Sequence, residues 1–288
     1  MSDSDSDSDY NDQVATLISS FLEIFQSNVD RSTRIVSIVT SNPTTACAEA
    51  LATSILSAAT AHPRKVNSLV LSIIQIVPPV QTIRVYDFES NDPIFFDYLF
   101  RYYLADYLKD YLYETQLHKP KETEITPTNP TLAAALFSAS AIKNGLLINT
   151  KASYHFLRQG LQLSGPVNQK REVVLALGAC LQLSVAGEAM MERWLIRSDG
   201  QDAILKALNK LKDNNVIRAP GGIQLLDKTI EIVQKKFTLA LSPAAAWDLL
   251  FKVSKRDRDG AGKAIENVQK KFTLALPWAA AWDLLFVP

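Results

Sequence analysis

Apolar residues recur at helical spacing from Asp12 to Phe251, in segment after segment. Val14, Leu17, Ile18, Phe21, Leu22 and Phe25 form the first such face, with Asn11 or Asp12 as its cap. A short segment, 31–39, follows. Asn42-Pro43 reads as the start of a helix that runs to about Thr60, and Pro63 opens another that ends at Pro78-Pro79. Thr82 to Tyr86 is either one short strand or an extended linker. Asp92-Pro93 starts a helix dense in aromatics, Phe95, Phe96, Tyr98, Phe100, Tyr102, Tyr103, Tyr107, Tyr111 and Tyr113. The interleaved Asp97, Asp106 and Asp110 make a poor RNA face, so the stripe reads as core packing with hydroxyls at the rim.

Residues 118–130 hold two lysines, two glutamates, three prolines and no apolar period, and read as a linker. Helices are then expected over 131–145, 149–163, 168–186, 187–196, 199–211, 223–241 and 243–251. Gly145, Gly165 and Gly187 stand at helix ends and 214–222 is a turn. Residues 1–10 alternate Ser and Asp and read as a disordered acidic tail.

The last part of the chain repeats itself. Residues 228–251 recur at 263–286 with four differences: Thr229/Ala264, Ile232/Asn267, Ser242/Pro277 and Pro243/Trp278. The period of 35 suits a helical hairpin, yet near-identity points to a recent local duplication. The pattern therefore divides the chain into the tail 1–10, a helical-repeat domain 11–251 and a duplicated helical tail 252–288. The fold class it predicts is all-α, a HEAT-like α-solenoid of stacked antiparallel helix pairs.

At 288 residues, 47% hydrophobic and 21% charged, the chain can build a core without disulfides or metal. The formal net charge is zero, which argues against a generally basic nucleic-acid binder. The two cysteines, Cys47 and Cys180, sit in apolar helical patterns and suit a reducing compartment. Neither a signal peptide nor an uncharged run long enough to span a membrane is expected, which points to the cytoplasm or nucleus, the cytoplasm being the reading adopted.

Candidate chemistry is thin. His62, His118 and His155 lie far apart, with no ligand neighbour at a metal spacing. Glu188 and Glu192 stand one turn apart but read as surface solvation. No catalytic residue and no cofactor is expected. The basic pairs Arg64-Lys65, Lys170-Arg171, Lys235-Lys236 and Lys270-Lys271 are the candidates for steering RNA or an acidic protein. Trp247, in Ala-Trp-Asp-Leu-Leu-Phe, resembles short acidic-hydrophobic peptides of vesicle-coat recruitment and is a further candidate partner contact.

Residues 129–232 carry a family resemblance. Its elements are Asn129 with Leu136-Phe137 in NPTLAAALF, Leu146-Leu147 with Leu157 one helix on, Cys180, Leu183 and Gly187 in ACLQLSVAG, and IQLLDKTIEI from Ile223 to Ile232. Together they are similar to the later helices of the middle domain of eukaryotic initiation factor 4G. Gly222 stands where that family usually has Arg. The resemblance implies a non-catalytic scaffold in mRNA translation or metabolism that docks a DEAD-box RNA helicase and other translation factors and contacts RNA. Two rivals stand beside it: another solenoid adaptor, for instance in membrane traffic, and an all-helical enzyme.

Overall fold

The structure, a computed structural model, describes residues 3–27, 30–86, 94–112, 125–147, 150–161, 170–194 and 200–251; side chains are described from Asp9 onward, apart from those of 170–171 and 192–194. Eleven α-helices occupy the described residues: α1 (Asp3–Gln26), α2 (Arg31–Ser41), α3 (Thr45–Ala61), α4 (Val66–Val80), α5 (Phe96–Leu112), α6 (Pro130–Lys143), α7 (Lys151–Leu161), α8 (Lys170–Trp194), α9 (Gly200–Asp213), α10 (Pro220–Gln234) and α11 (Pro243–Leu250). A single 3-10 turn, Pro63–Lys65, precedes α4. Two-residue strands β1 (Arg84–Val85) and β2 (Ile94–Phe95) pair antiparallel, Arg84 facing Phe95. The fold is mostly helical, as the apolar spacing predicts.

Local chemistry sets several boundaries. Asp30, Thr44, Asn129 and Ser242 each accept a backbone N–H of the first turn that follows, and so cap α2, α3, α6 and α11. The cap of α3 is Thr44 rather than the Asn42-Pro43 pair. Gly145 (φ 73°) closes α6, with its own N–H on the Ile142 carbonyl and that of Leu146 on Ala141. Pro78 and Pro79 do not end α4, which continues to Val80. Neither has an N–H to donate to the Ile74 or Gln75 carbonyl in its last turns.

Helix α1 begins at Asp3, within the acidic Ser/Asp stretch. Acidic residues in the opening turns of a helix meet the positive end of its dipole. The Tyr10 hydroxyl, bonded to Glu49 on α3 at 2.6 Å, ties this part of the helix down.

The packing follows a rule. Helices α1, α3, α5, α7 and α9 contact in succession, and so do α2, α4, α6, α8 and α10, so each helix meets the one two places ahead. Pairs α5/α6, α7/α8 and α9/α10 also touch directly. Helix α11 turns back over the even set and meets the 3-10 turn, α4, α6, α8 and α10.

Helix α8 carries the longest buried run among the described residues. Residues 174–187 are all buried, as are 131–142 of α6 beside it. The window Glu172–Met191, which includes Glu172 and Glu188, is long and apolar enough to cross a membrane by length and composition, but 83% of it is buried within the fold. An element surrounded by other helices is apolar all round for that reason. Two helices were expected here, with a break at Gly187. The backbone does break there, at Ala186 (φ −126°, ψ 15°), so that α8 is two helical segments joined across a kink.

The kink is filled by the segment after α10. One long helix was expected to Leu241, yet α10 stops at Gln234. Lys236 (φ 51°) and Phe237 (φ 64°) then take left-handed conformations that non-glycine residues rarely adopt. Burial of the Phe237 ring offsets that strain. The ring lies so close to Gly187 that a Cβ there would stand 2.2 Å from Phe237 Cε1. The Leu241 N–H donates to the Ser184 carbonyl at 2.7 Å and fixes the same crossing.

Residues 214–222, expected as one turn, instead open α10 at Pro220. Gly221 lies beneath the Leu250 carbonyl, where a Cβ would come within 2.0 Å of the oxygen.

The four differences between the repeated segments fall on committed positions of the first copy. Thr229 and Ile232 are fully buried, Ser242 caps α11, and Pro243 is its buried first residue. The second copy lies outside the described residues, as does most of the 118–130 linker. Ile232→Asn, which installs the second copy's residue, should therefore destabilise the protein by about 2–4 kcal/mol. Ser242→Pro should cost about 0.5–2 kcal/mol through the lost cap. Urea-denaturation midpoints of the two variants check both.

Candidate functional site

The basic residues singled out in the sequence do not come together as one cationic patch among the described side chains. Arg64 Nε lies 2.7 Å from Asp248 Oδ1 and links the 3-10 turn to α11. Lys65 is exposed beside it. Lys235 pairs with Glu231 at 2.9 Å, and Lys228 meets the same carboxylate at 2.7 Å. These hydrogen bonds, that from Lys228 foremost, hold the Glu231 carboxyl below its usual range. Lys236 is exposed at its left-handed turn. Lys170 and Arg171 open α8, and their side chains are outside the described set.

Trp247 is a correction. It is 3% exposed, with its ring 4.6 Å from that of Phe251, so it is core rather than a partner contact. The helix that carries the motif turns Ala246, Trp247 and Leu250 inward, which a linear recruitment peptide would have to present outward. Its counterpart Trp282 falls outside the described residues.

Other singled-out residues stay apart. His62 closes α3 at the surface, His155 is exposed on α7 and Glu188 is exposed on α8, while His118 and the Glu192 side chain lie outside the described set. Cys47 and Cys180 are fully buried, and burial pushes both thiols up to about 12.

Between α1, α3 and α5 the hydroxyls of Tyr10 and Tyr107 both donate to Glu49, Tyr10 at 2.6 Å. Burial, and then the bond to this carboxylate, raise both phenols well above their ordinary value. The cluster joins three helices and reads as a clamp.

The feature that the sequence did not reveal is an apolar cleft of about 440 Å³. Tyr154, Leu157, Arg158 and Leu161 of α7 form one wall, and Leu183, Met190 and Met191 of α8 another. Gly200, Ala203, Ile204 and Ala207 of α9 close it. The kink at Ala186 sets the direction of the α8 segment that carries both methionines. The Tyr154 hydroxyl holds that segment by donating to the Met190 carbonyl at 2.6 Å. Small residues on α9 leave the space open, and Met side chains adapt to irregular partners. Among the described lining residues Arg158 is the one ionisable side chain besides Tyr154, so the cleft suits an apolar group with a polar or anionic end. The sequence signal was the spacing of Gly200, Ala203 and Ala207 on the amphipathic α9, which is easily read as ordinary helix packing.

No protein-family model, curated protein or known structure matches the chain.

The buried thiols give a pH dependence. A thiol raised in the folded state ionises first in the unfolded chain, so above about pH 9 the native state binds more protons. Stability should fall between about pH 9 and 12, by about 1.4 kcal/mol per pH unit for each thiol, with the two tyrosines adding in the same sense above about pH 10. Denaturant midpoints across this range test the slope. A thiol-reactive dye should label neither cysteine at pH 8 until the protein unfolds.

Proposed function

We propose that the protein is a non-catalytic scaffold in mRNA translation or metabolism, a HEAT-like α-solenoid of stacked antiparallel helix pairs that docks a DEAD-box RNA helicase at the α7–α8–α9 cleft. The observation that carries this reading is the cleft itself, an apolar, methionine-lined surface set in helices that each pack on the one two places ahead. Repetition of that packing rule is what a solenoid requires.

The cleft also lies inside the segment that resembles the initiation-factor domain. Asn129 of that segment is the cap of α6, Gly187 lies at the kink of α8, and Ile223 to Ile232 fall within α10. The family's partners enter only through that resemblance. The mechanism is positioning: a rigid surface holds the helicase in one orientation and so reduces the ordering cost of its productive complex. RNA is a secondary ligand in this reading, because Arg64 and Lys235 already pair with carboxylates of their own chain. A cytoplasmic location belongs to the same proposal. The membrane-traffic alternative loses its specific support in the first copy of the motif, where Trp247 is core.

Ala203 is exposed at the cleft, so Ala203→Glu adds a charge there without disturbing the core. Calorimetry of the full chain with a purified translation-initiation DEAD-box helicase should show saturable binding, weakened at least tenfold by this variant. Absence of binding at micromolar concentrations, or binding that the variant leaves unchanged, would contradict the assignment.

A further inference from the structure

Among the described side chains, one residue holds the start of α1 to the rest of the protein. Asp9, Asn11, Asp12 and Gln13 are exposed, and of residues 9–13 only Tyr10 turns inward. Its hydroxyl donates to Glu49 Oε2 on α3 at 2.6 Å. The next inward residue is Val14, and the fully enclosed anchors of α1 lie further on, at Phe21 and Ile24.

Glu49 is a shared acceptor. The Tyr107 hydroxyl of α5 donates to its other carboxylate oxygen, so two phenols meet one carboxylate. Among the described residues no lysine or arginine pairs with it. The contact therefore depends on Tyr10 bringing a proton. A hydroxyl donor is attracted to the carboxylate, whereas an anion in the same place is repelled with no cation to offset it.

Sequence and position favour the same hydroxyl as a site of modification. Asp3, Asp5, Asp7 and Asp9 precede Tyr10, and Asp12 follows it. Kinases distinguish substrates by such charge patterns. A kinase also needs the hydroxyl in a locally opened segment, and the ends of helices open most readily. Unwinding of 3–13 gives up the Tyr10 contact and leaves Phe21 and Ile24 in the core.

The exposed tyrosines differ in consequence. Tyr86 is 73% exposed, and Tyr98 and Tyr102 are each 54% exposed, so α5 has an aromatic solvent face besides its core one. A phosphate on Tyr86 or Tyr98 would stand in water. A phosphate on Tyr10 would replace a tertiary hydrogen bond with a repulsion.

We propose that Tyr10 is a protein-tyrosine-kinase site whose phosphorylation releases the first turns of α1 from α3 and α5. The γ-phosphoryl group of MgATP passes to Tyr10 Oη. A bond from phosphorus to the phenolic oxygen forms, and the bond from phosphorus to the oxygen bridging to the β-phosphate breaks. The phenolic proton goes to the catalytic aspartate of the kinase, and ADP leaves. The product carries a charge of about −1.5 to −2 and has no proton to donate. It does not return to Glu49, while Tyr107 keeps its bond there. The site does not depend on what docks at the α7–α8–α9 cleft.

The test uses the full chain, MgATP and a purified tyrosine kinase domain that is active on a glutamate–tyrosine copolymer. Peptide mapping should place phosphate on Tyr10, and Tyr10→Phe should abolish that modification. Hydrogen exchange over 9–14 should quicken at least about tenfold in the phosphorylated chain and stay unchanged over 21–25. Glu49→Gln removes the repelling charge, so phosphorylation of that variant should quicken the same amides less than about threefold. The first two readouts need no change at Glu49 and stand if that variant is unstable. The proposal is overturned if the folded chain gains no phosphate at Tyr10, if exchange over 9–14 is unchanged by the phosphate, or if the folded Glu49→Gln variant responds as strongly as the parent.

Discussion

The burial of α8 is the constraint on which the rest of this structure depends. Residues 174–187 have no face to solvent, so α6, α7, α10 and α11 must all approach closely. Small side chains on both central helices permit that approach: Ala133, Ala134 and Ala135 on α6, and Ala176, Gly178 and Ala179 on α8. Polar groups in the same layer settle register. Gln182 Nε2 donates to Ser138 Oγ at 2.8 Å, and Thr229 Oγ1 donates to the Cys180 carbonyl at 3.4 Å. In an interior of low dielectric such bonds discriminate strongly against a shifted packing, because an unpaired polar group is costly there.

That constraint passes outward to the proposed docking cleft. The kink at Ala186 admits the Phe237 ring on one side and directs the methionine-bearing end of α8 toward the cleft on the other. The left-handed backbone at Lys236 and Phe237 is thus part of the same device, with strain offset by burial. On the odd-numbered side, Glu49 joins α1 and α5 through two tyrosines and ties down the start of α1. Surfaces formed on rigid helices lose little freedom when a partner docks, which is the physical advantage of a scaffold.

Much of this was legible in the residues, and the failures have local causes. Helical spacing located most helices because amphipathic faces are a direct record of burial. Gly145 and the Ser242-Pro243 pair marked helix ends because their backbone chemistry is local. Tertiary effects were hidden. Nothing before Phe237 in the sequence announces a left-handed turn there, since the ring is drawn into a space left by a glycine fifty residues upstream. Trp247 looked like a recruitment residue because a linear motif and a core helix share the same composition, and only burial separates them. The cleft was invisible because small residues on α9 fit both close packing and an opening. The basic pairs were legible as charges but not as partners, because Arg64 meets Asp248 from a distant helix.

The central claim, that α8 is the enclosed spine of the fold, is tested most directly by native-state hydrogen exchange on the full chain. Amides of 174–185 should exchange only through global unfolding, with protection that falls in parallel with overall stability as denaturant is added. Helix α2, which packs only at one end of the even set, should open earlier. Exchange of α8 through a local opening, independent of denaturant and as fast as that of α2, would contradict the account and with it the basis for the proposed docking cleft.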